Sequence, residues 1–597
     1  MQNTIKTFWP CLALFSAFTL LVLSACQTRQ ADRNSAAPAA PTYSGPRYLY
    51  GTVGSMAQLR GYRPLLVSNY AVVAGLDGTG ASSIPMRLRQ WMLREVRRRG
   101  FGNMNLDKYG GAITPQRFLA SADTAIVRVE GLIPPGATPG ARFDLLITAL
   151  HQAQPATSLR GGTLFTAELA VNGVESVPRY SKPLAVAGGA TYVNPFEDIT
   201  APDHVAAAAQ LPTAVVLSGG KVTTERRLEL VLNQPNGERC RLIANRINDR
   251  FRVESDEKFI AVAKTDQLIR LHIPKRYRHD ADRLLLLVKH LFIDESPQFM
   301  QQKADQLAQV LIADPSKGRP VALAWEGFGT SVFPTIRRLY EATIDVHVRL
   351  AALEAGARLG DARCVDHLAD VSRSDDVRWR QRAANTLVFL PRSVVGNKAL
   401  YQLLDDVDQD VRIAAYESLA MLNDQILHRR PFISNGRFKF LLDLVPASRP
   451  LVYVAQARQP RIVIFNPEAT FKAPLLVRIW NNRLMLRRDP DDSAVTVFYQ
   501  RRGQIEGEQY QIAPALANLV LLLAHDPTPE APTPGMDLSY SHVVNAIYKL
   551  YEGKHIEANM ALQLSPLVQA VAKARDVARQ QRPVSDEKPF VSIDQGS

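Results

Sequence analysis

Residues 65–80 have the sequence LLVSNYAVVAGLDGTG, in which a β-branched apolar run leads into a loop with three glycines. β-branched and aromatic residues favour strands, and glycine readily takes the positive φ angles that tight turns need. Residues 84–99 follow with a helical composition, and Pro85 suits the first turn of a helix. The stretch therefore predicts a strand, a tight glycine loop and a helix.

The same arrangement can bind a phosphate on backbone N–H groups, so a nucleotide site is an alternative for residues 75–80. The loop lacks the Gly-Lys-Ser/Thr ending of a P-loop, and its glycines do not follow the GxGxxG spacing. We therefore interpret it as a turn in which Asp77 bonds the local backbone, and we expect neither a cofactor nor a metal ion.

Outward from this stretch, β-rich runs predict further strands at residues 125–133, 142–150 and 228–232. Alternate residues from Phe143 to Ala149 share one apolar face, which is typical of a half-buried strand. Residues 240–251 predict a helix, because apolar side chains recur four residues apart. The fold class is α+β and multidomain, and the region 47–295 is its mixed strand and helix domain.

A series of motifs within this region carries a resemblance. In order along the chain they are VVAGLDGTG (72–80), VEGLIPPGATPGARFDLLITAL (129–150), SLRGGTL (158–164), GGKV (219–222) and RLIANRINDRF (241–251). Over about residues 48–293 the series resembles the flagellar P-ring protein family. The resemblance implies a structural subunit that forms a homo-oligomeric ring in the periplasm, around the distal rod of the flagellum and within the peptidoglycan layer.

The resemblance and the glycine loops together suggest where copies touch. Glycine beside a long cation suits a loop whose backbone closely approaches another surface, and the alternative is a hairpin turn with a solvated arginine. If the second loop lies at the contact, Gly162→Val should impair assembly more than subunit folding. The expected assembly contacts are Gly75, Asp77, Gly78, Thr79, Gly80, Leu159, Arg160, Gly161, Gly162 and Thr163.

The N-terminus predicts export. An apolar run from Phe8 to Leu23 ends in Leu23-Ser24-Ala25-Cys26, which resembles a bacterial lipoprotein box. Residues 1–25 are then a lipoprotein signal peptide, Cys26 is the lipidated mature N-terminus, and 26–46 form a flexible tether rich in Ala, Pro and Ser. The alternative is an ordinary cleavable signal, as P-ring proteins usually carry. We expect a periplasmic basal-body protein that is lipid-anchored to the outer membrane.

A repeat follows the P-ring-like region and a helical connector at 296–334. Leucines at 359, 390 and 422 and alanines at 352, 383 and 415 are spaced 31 and 32 residues apart. Residues 335–430 therefore resemble the HEAT-like helical repeats of α-solenoids, which generally bind protein. A structural spacer is the rival interpretation. Four arginines are expected on exposed faces of these repeats, namely Arg378, Arg380, Arg382 and Arg412.

One motif in the repeats imitates a calcium loop. Asp406, Asp408, Asp410 and Glu417 occupy positions 1, 3, 5 and 12, but Val411 stands where an EF-hand needs glycine. The repeat register also places a helix start at about Val411. We therefore interpret the aspartates as helix caps between repeat helices.

Beyond the repeats, residues 431–505 predict a small β-rich domain with several short strands. Residues 506–597 predict a helical C-terminal region, with helices at 541–551 and 560–579 before a polar tail.

The composition excludes several function classes. Four scattered cysteines form no CxxC pair, which argues against cysteine-based metal or redox chemistry. Eleven dispersed histidines form no HExxH motif, and GxSxG is absent, so we expect no catalytic residues and no enzymatic activity. The hypothesis of an envelope hydrolase is supported only by the predicted compartment.

The net charge is +14, and a basic surface on the helix at 84–99 can face an acidic rod or an anionic envelope polymer, although such a face is more often simply solvated. We expect the distal rod, outer ring proteins and peptidoglycan as partners, and no nucleic acid. The leading hypothesis is a structural P-ring-like subunit that supports motility. Its rival is a non-flagellar envelope lipoprotein that uses the ring fold as a protein-binding scaffold.

Overall fold

The computed structural model describes most of the chain after the N-terminal segment. The described residues are 43–81, 86–98, 114–150, 156–171, 182–196, 212–251, 259–278, 280–342, 345–457, 459–501, 504–563 and 565–580. They form three sheets, a closed barrel and many helices, so the chain is a mixed α+β protein, as predicted.

The described residues in the first half of the chain form ten strands and five α-helices. In chain order they are α1 (Val53–Met56), β1 (Ala57–Arg60), β2 (Leu65–Ala74), α2 (Met86–Arg98), α3 (Pro115–Leu119), β3 (Thr124–Ile133), β4 (Arg142–Ala149), β5 (Thr163–Leu169), β6 (Ala185–Ala190), β7 (Thr213–Val222), β8 (Leu228–Leu232), α4 (Gly237–Phe251), β9 (Ala261–Ala263), β10 (Leu268–Leu271) and α5 (Ala281–His290). The strand predictions are confirmed to within one residue, and the helix predicted from residue 240 begins three residues earlier, at Gly237.

Six antiparallel strands close into a barrel with the order β2-β3-β4-β7-β6-β5. The ladder between β2 and β3 runs unbroken from Leu65↔Ile133 to Ala74↔Thr124. The predicted apolar face of β4, from Phe143 to Ala149, fills the barrel interior. Several side chains on the outer face are buried as well, because α2 and α3 cover part of the wall. These coverings explain why the strands are apolar in nearly continuous runs rather than in strict alternation.

A four-stranded antiparallel sheet of order β1-β8-β10-β9 adjoins the barrel through the short link between β1 and β2. Helices α4 and α5 cover one of its faces. The apolar stripe of α4 that the sequence predicts, at Ile243, Ile247 and Phe251, is buried in this core.

Eight α-helices follow among the described residues between 297 and 421. They are α6 (Pro297–Ala313), α7 (Gly318–Phe328), α8 (Phe333–Ala342), α9 (Val346–Arg358), α10 (Cys364–Val371), α11 (Val377–Leu387), α12 (Val394–Leu403) and α13 (Gln409–Met421). Asp345, Asp376 and Asp408 cap α9, α11 and α13 by accepting backbone N–H groups of the first turn. The three caps share the 31- and 32-residue spacing of the leucines, because each begins an equivalent helix.

The remaining elements are β11 (His428–Ser434), β12 (Arg437–Val445), β13 (Leu451–Ala455), β14 (Arg461–Phe465), β15 (Leu475–Ile479), β16 (Leu484–Arg488), β17 (Val495–Tyr499), β18 (Glu508–Ile512), α14 (Leu516–Ala524), α15 (Tyr540–Glu552), β19 (Asn559–Gln563) and α16 (Leu567–Gln580). Strand β11 begins inside the range predicted for the repeats, and β18 and β19 lie inside the region predicted as helical. The helix predicted from residue 560 begins only at Leu567, because residues 559–563 pair in parallel with β13.

The five-stranded sheet of order β11-β12-β14-β13-β19 is the middle layer of this half. One face shares a core with the helices, where Tyr416 of α13 donates a 2.5 Å hydrogen bond to Asp443. The other face packs on the sheet β15-β16-β17-β18 and on α14 and α15. Strand β13 is buried throughout, because both of its faces are covered.

Candidate functional site

The two glycine loops predicted as assembly contacts lie together at one end of the barrel. The first follows β2 and the second precedes β5, and these strands pair at Val73↔Leu164 and Ala74↔Thr163. The Thr79 hydroxyl donates to the carbonyl of Ser158 at 2.9 Å, and the Thr157 N–H donates to the carbonyl of Thr79 at 2.8 Å. The predicted residues 75–80 and 159–163 therefore form one surface, which we call the loop pair.

The structure explains why two positions of the first loop require glycine. Gly78 has a φ of 80°, a backbone angle that residues other than glycine rarely adopt. Its N–H donates to the Asp123 carboxylate at 2.7 Å. A Cβ atom on Gly80 would collide with the carbonyl oxygens of Ala122 and Thr124. The interpretation as a tight turn is thus confirmed.

The two glycines of the second loop face in different directions. A Cβ atom on Gly162 would lie 2.5 Å from Val73 Cγ1 and 2.7 Å from Leu76 Cδ2, so this glycine belongs to the barrel interior. A Cβ atom on Gly161 would collide with His542 Cε1 in α15. Gly162→Val is therefore expected to strain the subunit itself, in contrast to the sequence-based expectation that it acts mainly on assembly.

The loop pair contacts the C-terminal half of the same chain. The Asp77 carboxylate accepts a 3.2 Å bond from Arg483, which follows β15, so its partner is a distant arginine rather than only the local backbone. Arg160 is partly buried beside α15, and its Nε is enclosed without a hydrogen-bond partner among the described residues. Burial lowers the pKa of the Arg160 guanidinium. The interpretation of Arg160 as a solvated residue is thus wrong.

His542 is the centre of this contact. Its ring packs edge to face on Trp480 at 5.1 Å between centroids, and its Nδ1 lies 2.8 Å from the Ser539 hydroxyl. Burial and then the charge of Arg160 lower the pKa of His542 to about 4, so the imidazole is neutral at pH 7. Although a serine and a histidine are adjacent here, the Gly161 backbone lies against the edge of the His542 ring.

A second contact extends from residues 191–196, which follow β6. The ring of Tyr192 lies 5.2 Å from that of Tyr540, and Phe196 packs edge to face on Tyr548 at 4.7 Å. Both aromatics are almost fully buried in the core of the C-terminal sheets. The barrel end and the C-terminal half therefore share a hydrophobic core.

A third contact joins the last helix to the barrel wall. Leu567 and Val571 of α16 pack on Leu146 and its neighbours. The Glu130 side chain on β3 is completely buried, and its carboxylate accepts two hydrogen bonds from Arg575, one of them 2.7 Å long. Arg128 Nη2 also lies 2.9 Å from Glu130 Oε1. Removing Arg575 would leave a buried carboxylate short of partners.

Other predicted residues are dispersed. Asp408 caps α13, as predicted, while Asp406 instead forms a two-bond ion pair with Arg380. Arg412 was expected on an exposed face, but it is only 3% exposed and donates to the carbonyl of Arg449, because the five-stranded sheet covers α13. Within the described ranges no group of three or more histidine, cysteine or acidic residues is placed to hold a metal ion.

Two further predictions concern the lipid anchor and the basic helix. The predicted lipidation site, Cys26, lies outside the described residues, as does Arg99 at the end of the helix predicted at 84–99. Among the residues that the structure does describe, no helix is long and apolar enough to cross a bilayer. The basic helix α2 exposes its arginines to solvent while its apolar side packs on the barrel; these arginines are Arg89, Arg94, Arg97 and Arg98.

Sequence reasoning missed the residues that cover the loop pair. Arg483, His542 and Arg575 lie some 400 residues from their partners and stand in no motif. Each becomes recognisable only when the fold brings it to a buried or glycine-lined position.

Comparison with known proteins locates the similarity in the first half of the chain. Residues 52–301 match the family model described as "Flagellar P-ring protein". The flagellar P-ring protein of Rhizobium etli (strain CIAT 652) is 25% identical over 301 residues, which cover 49% of this chain and 73% of that protein. That of Rhizobium johnstonii is 24% identical over 287 residues, which cover 46% and 70%. That of Rhodopseudomonas palustris (strain TIE-1) is 26% identical over 287 residues, which cover 46% and 67%.

The matched range can be compared with the elements of the fold. It contains the whole barrel, the sheet β1-β8-β10-β9 and helices α4 and α5, and it ends within α6. The helices from α7 onward and all the C-terminal sheets lie beyond it. The N-terminal half of this chain is thus similar to flagellar P-ring proteins, and the half that covers its loop pair is outside that similarity.

Proposed function

We propose that this chain is a structural subunit of the flagellar basal body, of the P-ring type, and has no enzymatic activity. The observation that carries the proposal is the match over residues 52–301, because this range contains one complete barrel and one complete sheet rather than a fragment of either. Copies would form a closed ring in the periplasm around the distal rod. A head-to-tail contact between two different surfaces closes into such a ring when its rotation permits.

The C-terminal half adds a second task in this proposal. Helices α9–α13 form a HEAT-like stack with the predicted repeat spacing, and its outer surface would bind a neighbouring basal-body protein. Support comes from α11, whose Trp379 lies near two arginines on the outer side, Arg378 and Arg382. Aromatic and arginine side chains are enriched where proteins bind one another.

We place the subunit in the periplasm, tied to the outer membrane through acylated Cys26. Mass spectrometry of the membrane fraction tests this anchor. We expect a mature chain that begins at acylated Cys26, and Cys26→Ser should release the protein or leave it unprocessed. An unmodified chain that begins at another residue would refute the anchor without affecting the ring.

The experiment for the function is deletion of the gene in its native, flagellated host, followed by electron cryotomography of the motors. We expect ring density around the distal rod to disappear and motility to fall, while the inner rings and the export apparatus remain. Normal swimming with an intact P-ring would contradict the proposal.

One observation favours the alternative, a non-flagellar envelope lipoprotein that serves as a protein-binding scaffold. The loop pair, expected to contact other copies, is covered by the C-terminal half of the same chain at Asp77 and Gly161. The two functions differ in partner: affinity purification should recover rod and ring proteins in the first case, and other envelope proteins in the second.

A further inference from the structure

The two edge strands of the sheet β1-β8-β10-β9 differ in the hydrogen bonding of their outer backbone groups. At the β9 edge, the Asn248 amide of α4 donates to the carbonyl of Ala261 at 2.8 Å and accepts the N–H groups of Ile260 and Ala261 at 2.9 Å. At the β1 edge, no strand or side chain among the described residues pairs with the outer backbone groups. An open edge of this kind is a template for another strand.

A groove crosses the face of this sheet from β1 over β8 to the start of β10. Its volume is about 240 Å³, and it is lined by Gln58, Leu59, Arg60, Val231, Asn233 and Gln267. Leu59 belongs to the sheet's apolar core yet remains partly exposed, because no strand lies beyond it.

A buried acceptor lies at the end of β8, next to β1. The Asn233 amide donates to the carbonyl of Ser55 at 3.3 Å, but its Oδ1 is enclosed and has no donor among the described residues. Buried acceptors are nearly always hydrogen-bonded in native proteins. The outer edge of β1 thus offers unpaired backbone groups beside an incompletely covered leucine.

The chain itself contains a matching segment near its C-terminus. Residues 590–593 have the sequence Phe-Val-Ser-Ile, preceded by Pro589 and followed by Asp594. The segment has four residues, as β1 has, and Val591 and Ile593 would share one β-branched face in a strand. The N-terminal tether is a poorer match, because Ala, Pro and Ser dominate it.

We propose that the open edge of β1 binds residues 590–593 of a second copy of this chain as an added strand. The proposal rests on the ring function, in which each subunit needs one donor surface and one different acceptor surface. Backbone hydrogen bonds would supply affinity, and the β-branched face would cover Leu59. Asp594 would add an acidic group near Arg60.

Cysteine cross-linking tests the contact and its source. The chain from residue 27 onward contains only Cys240 and Cys364, both buried, so introduced thiols can be followed alone. We expect disulfide-linked dimers when copies with Gln58→Cys are mixed with copies with Ser592→Cys. Lys264→Cys, exposed at the turn between β9 and β10, is the matched control partner and should give at least tenfold less dimer.

Two results would overturn the proposal. The first is a dimer yield with Gln58→Cys no higher than with Lys264→Cys. The second is an internal cross-link without dimers in a chain that carries both Gln58→Cys and Ser592→Cys, because the segment would then bind its own subunit.

Peptide binding provides a measurement that cannot be confused with misfolding. A fluorescent peptide of residues 586–597 is titrated with the full chain carrying Val591→Pro, which disables the chain's own segment. We expect saturable binding, and at least tenfold weaker binding when the peptide itself carries Val591→Pro. Equal binding by both peptides, or none, would refute strand addition. Neither assay needs a flagellum, so their failure is distinguishable from failure of the ring function.

Discussion

The two halves of this chain differ in what their sequence patterns disclose. In the barrel half, the strand at 65–74 and the strand at 228–232 begin and end as predicted, and the glycine loop between β2 and α2 is a tight turn. In the C-terminal half, the individual elements are also mostly recognisable, but their contacts with the barrel are not. Local periodicity reports which face of an element is buried, and it does not report what buries it.

The difference matters for function, because the barrel half carries the similarity to P-ring proteins and the other half covers its loop pair. If the two halves form one unit, disturbing their contacts should lower stability and expose the loop pair. If they are independent, the same changes should have little effect on the barrel.

The largest effect is expected from Arg575→Met. The substitution leaves the buried Glu130 carboxylate with Arg128 as its remaining cationic partner, which should lower the free energy of unfolding by about 3 kcal/mol. Urea denaturation measures the loss, and limited proteolysis should show earlier cleavage in α16. Lys573→Met, on an exposed position of the same helix, is the control and should change little. Equal stability of the two variants would show that the helix does not hold the halves together.

The paired variants Gly162→Val and Gly161→Ala distinguish strain inside the barrel from strain in the C-terminal half. The valine would overpack the barrel interior against Val73 and Leu76, at a cost of about 2 kcal/mol. The alanine would instead displace His542. Hydrogen exchange measured by mass spectrometry should rise in β2 and β5 for Gly162→Val, and in α15 for Gly161→Ala. The reverse pattern would contradict the placement of these glycines.

Acidification should weaken the contact at His542. The folded pKa of about 4 lies below the ordinary value of 6.5, so between these pH values the unfolded chain binds a proton that the folded chain does not. Stability should therefore fall as the pH drops from about 6.5 towards 4, by about 2 kcal/mol after allowance for solvent screening.

Thermal unfolding across this pH range, compared with His542→Gln, measures the effect. The glutamine variant should show a flatter pH profile, whereas His428→Gln, at an exposed position of β11, should keep the original slope. Identical profiles for all three proteins would mean that His542 titrates normally.

The smallest effect is expected from Asp408→Ala in the helical stack. Loss of the cap on α13 should cost about 1 kcal/mol, and calorimetry should detect no calcium binding before or after the substitution. Lower unfolding temperature without any calcium dependence supports the capping role. Calcium binding that Asp408→Ala abolishes would restore the calcium-loop interpretation.

Particular residues show how far the sequence could be interpreted. The alternation from Phe143 to Ala149 predicted the barrel face of β4, and the repeat spacing predicted the helix that begins at Gln409. Residues 560–563 are predicted as helix but belong to β19, because their pairing with β13, more than a hundred residues away in the chain, outweighs local propensity. Arg412 was predicted as exposed, because the covering sheet lies outside the repeat that defined it.

The central claim is that one chain supplies both a P-ring-type barrel and the C-terminal half that covers it, within a ring around the distal rod. Single-particle electron cryomicroscopy of basal bodies purified from the native host tests this most directly. We predict a closed ring whose repeating unit fits the barrel together with the C-terminal sheets against its loop pair. A P-ring whose density is explained by another protein, with this chain absent from the particles, would contradict the claim.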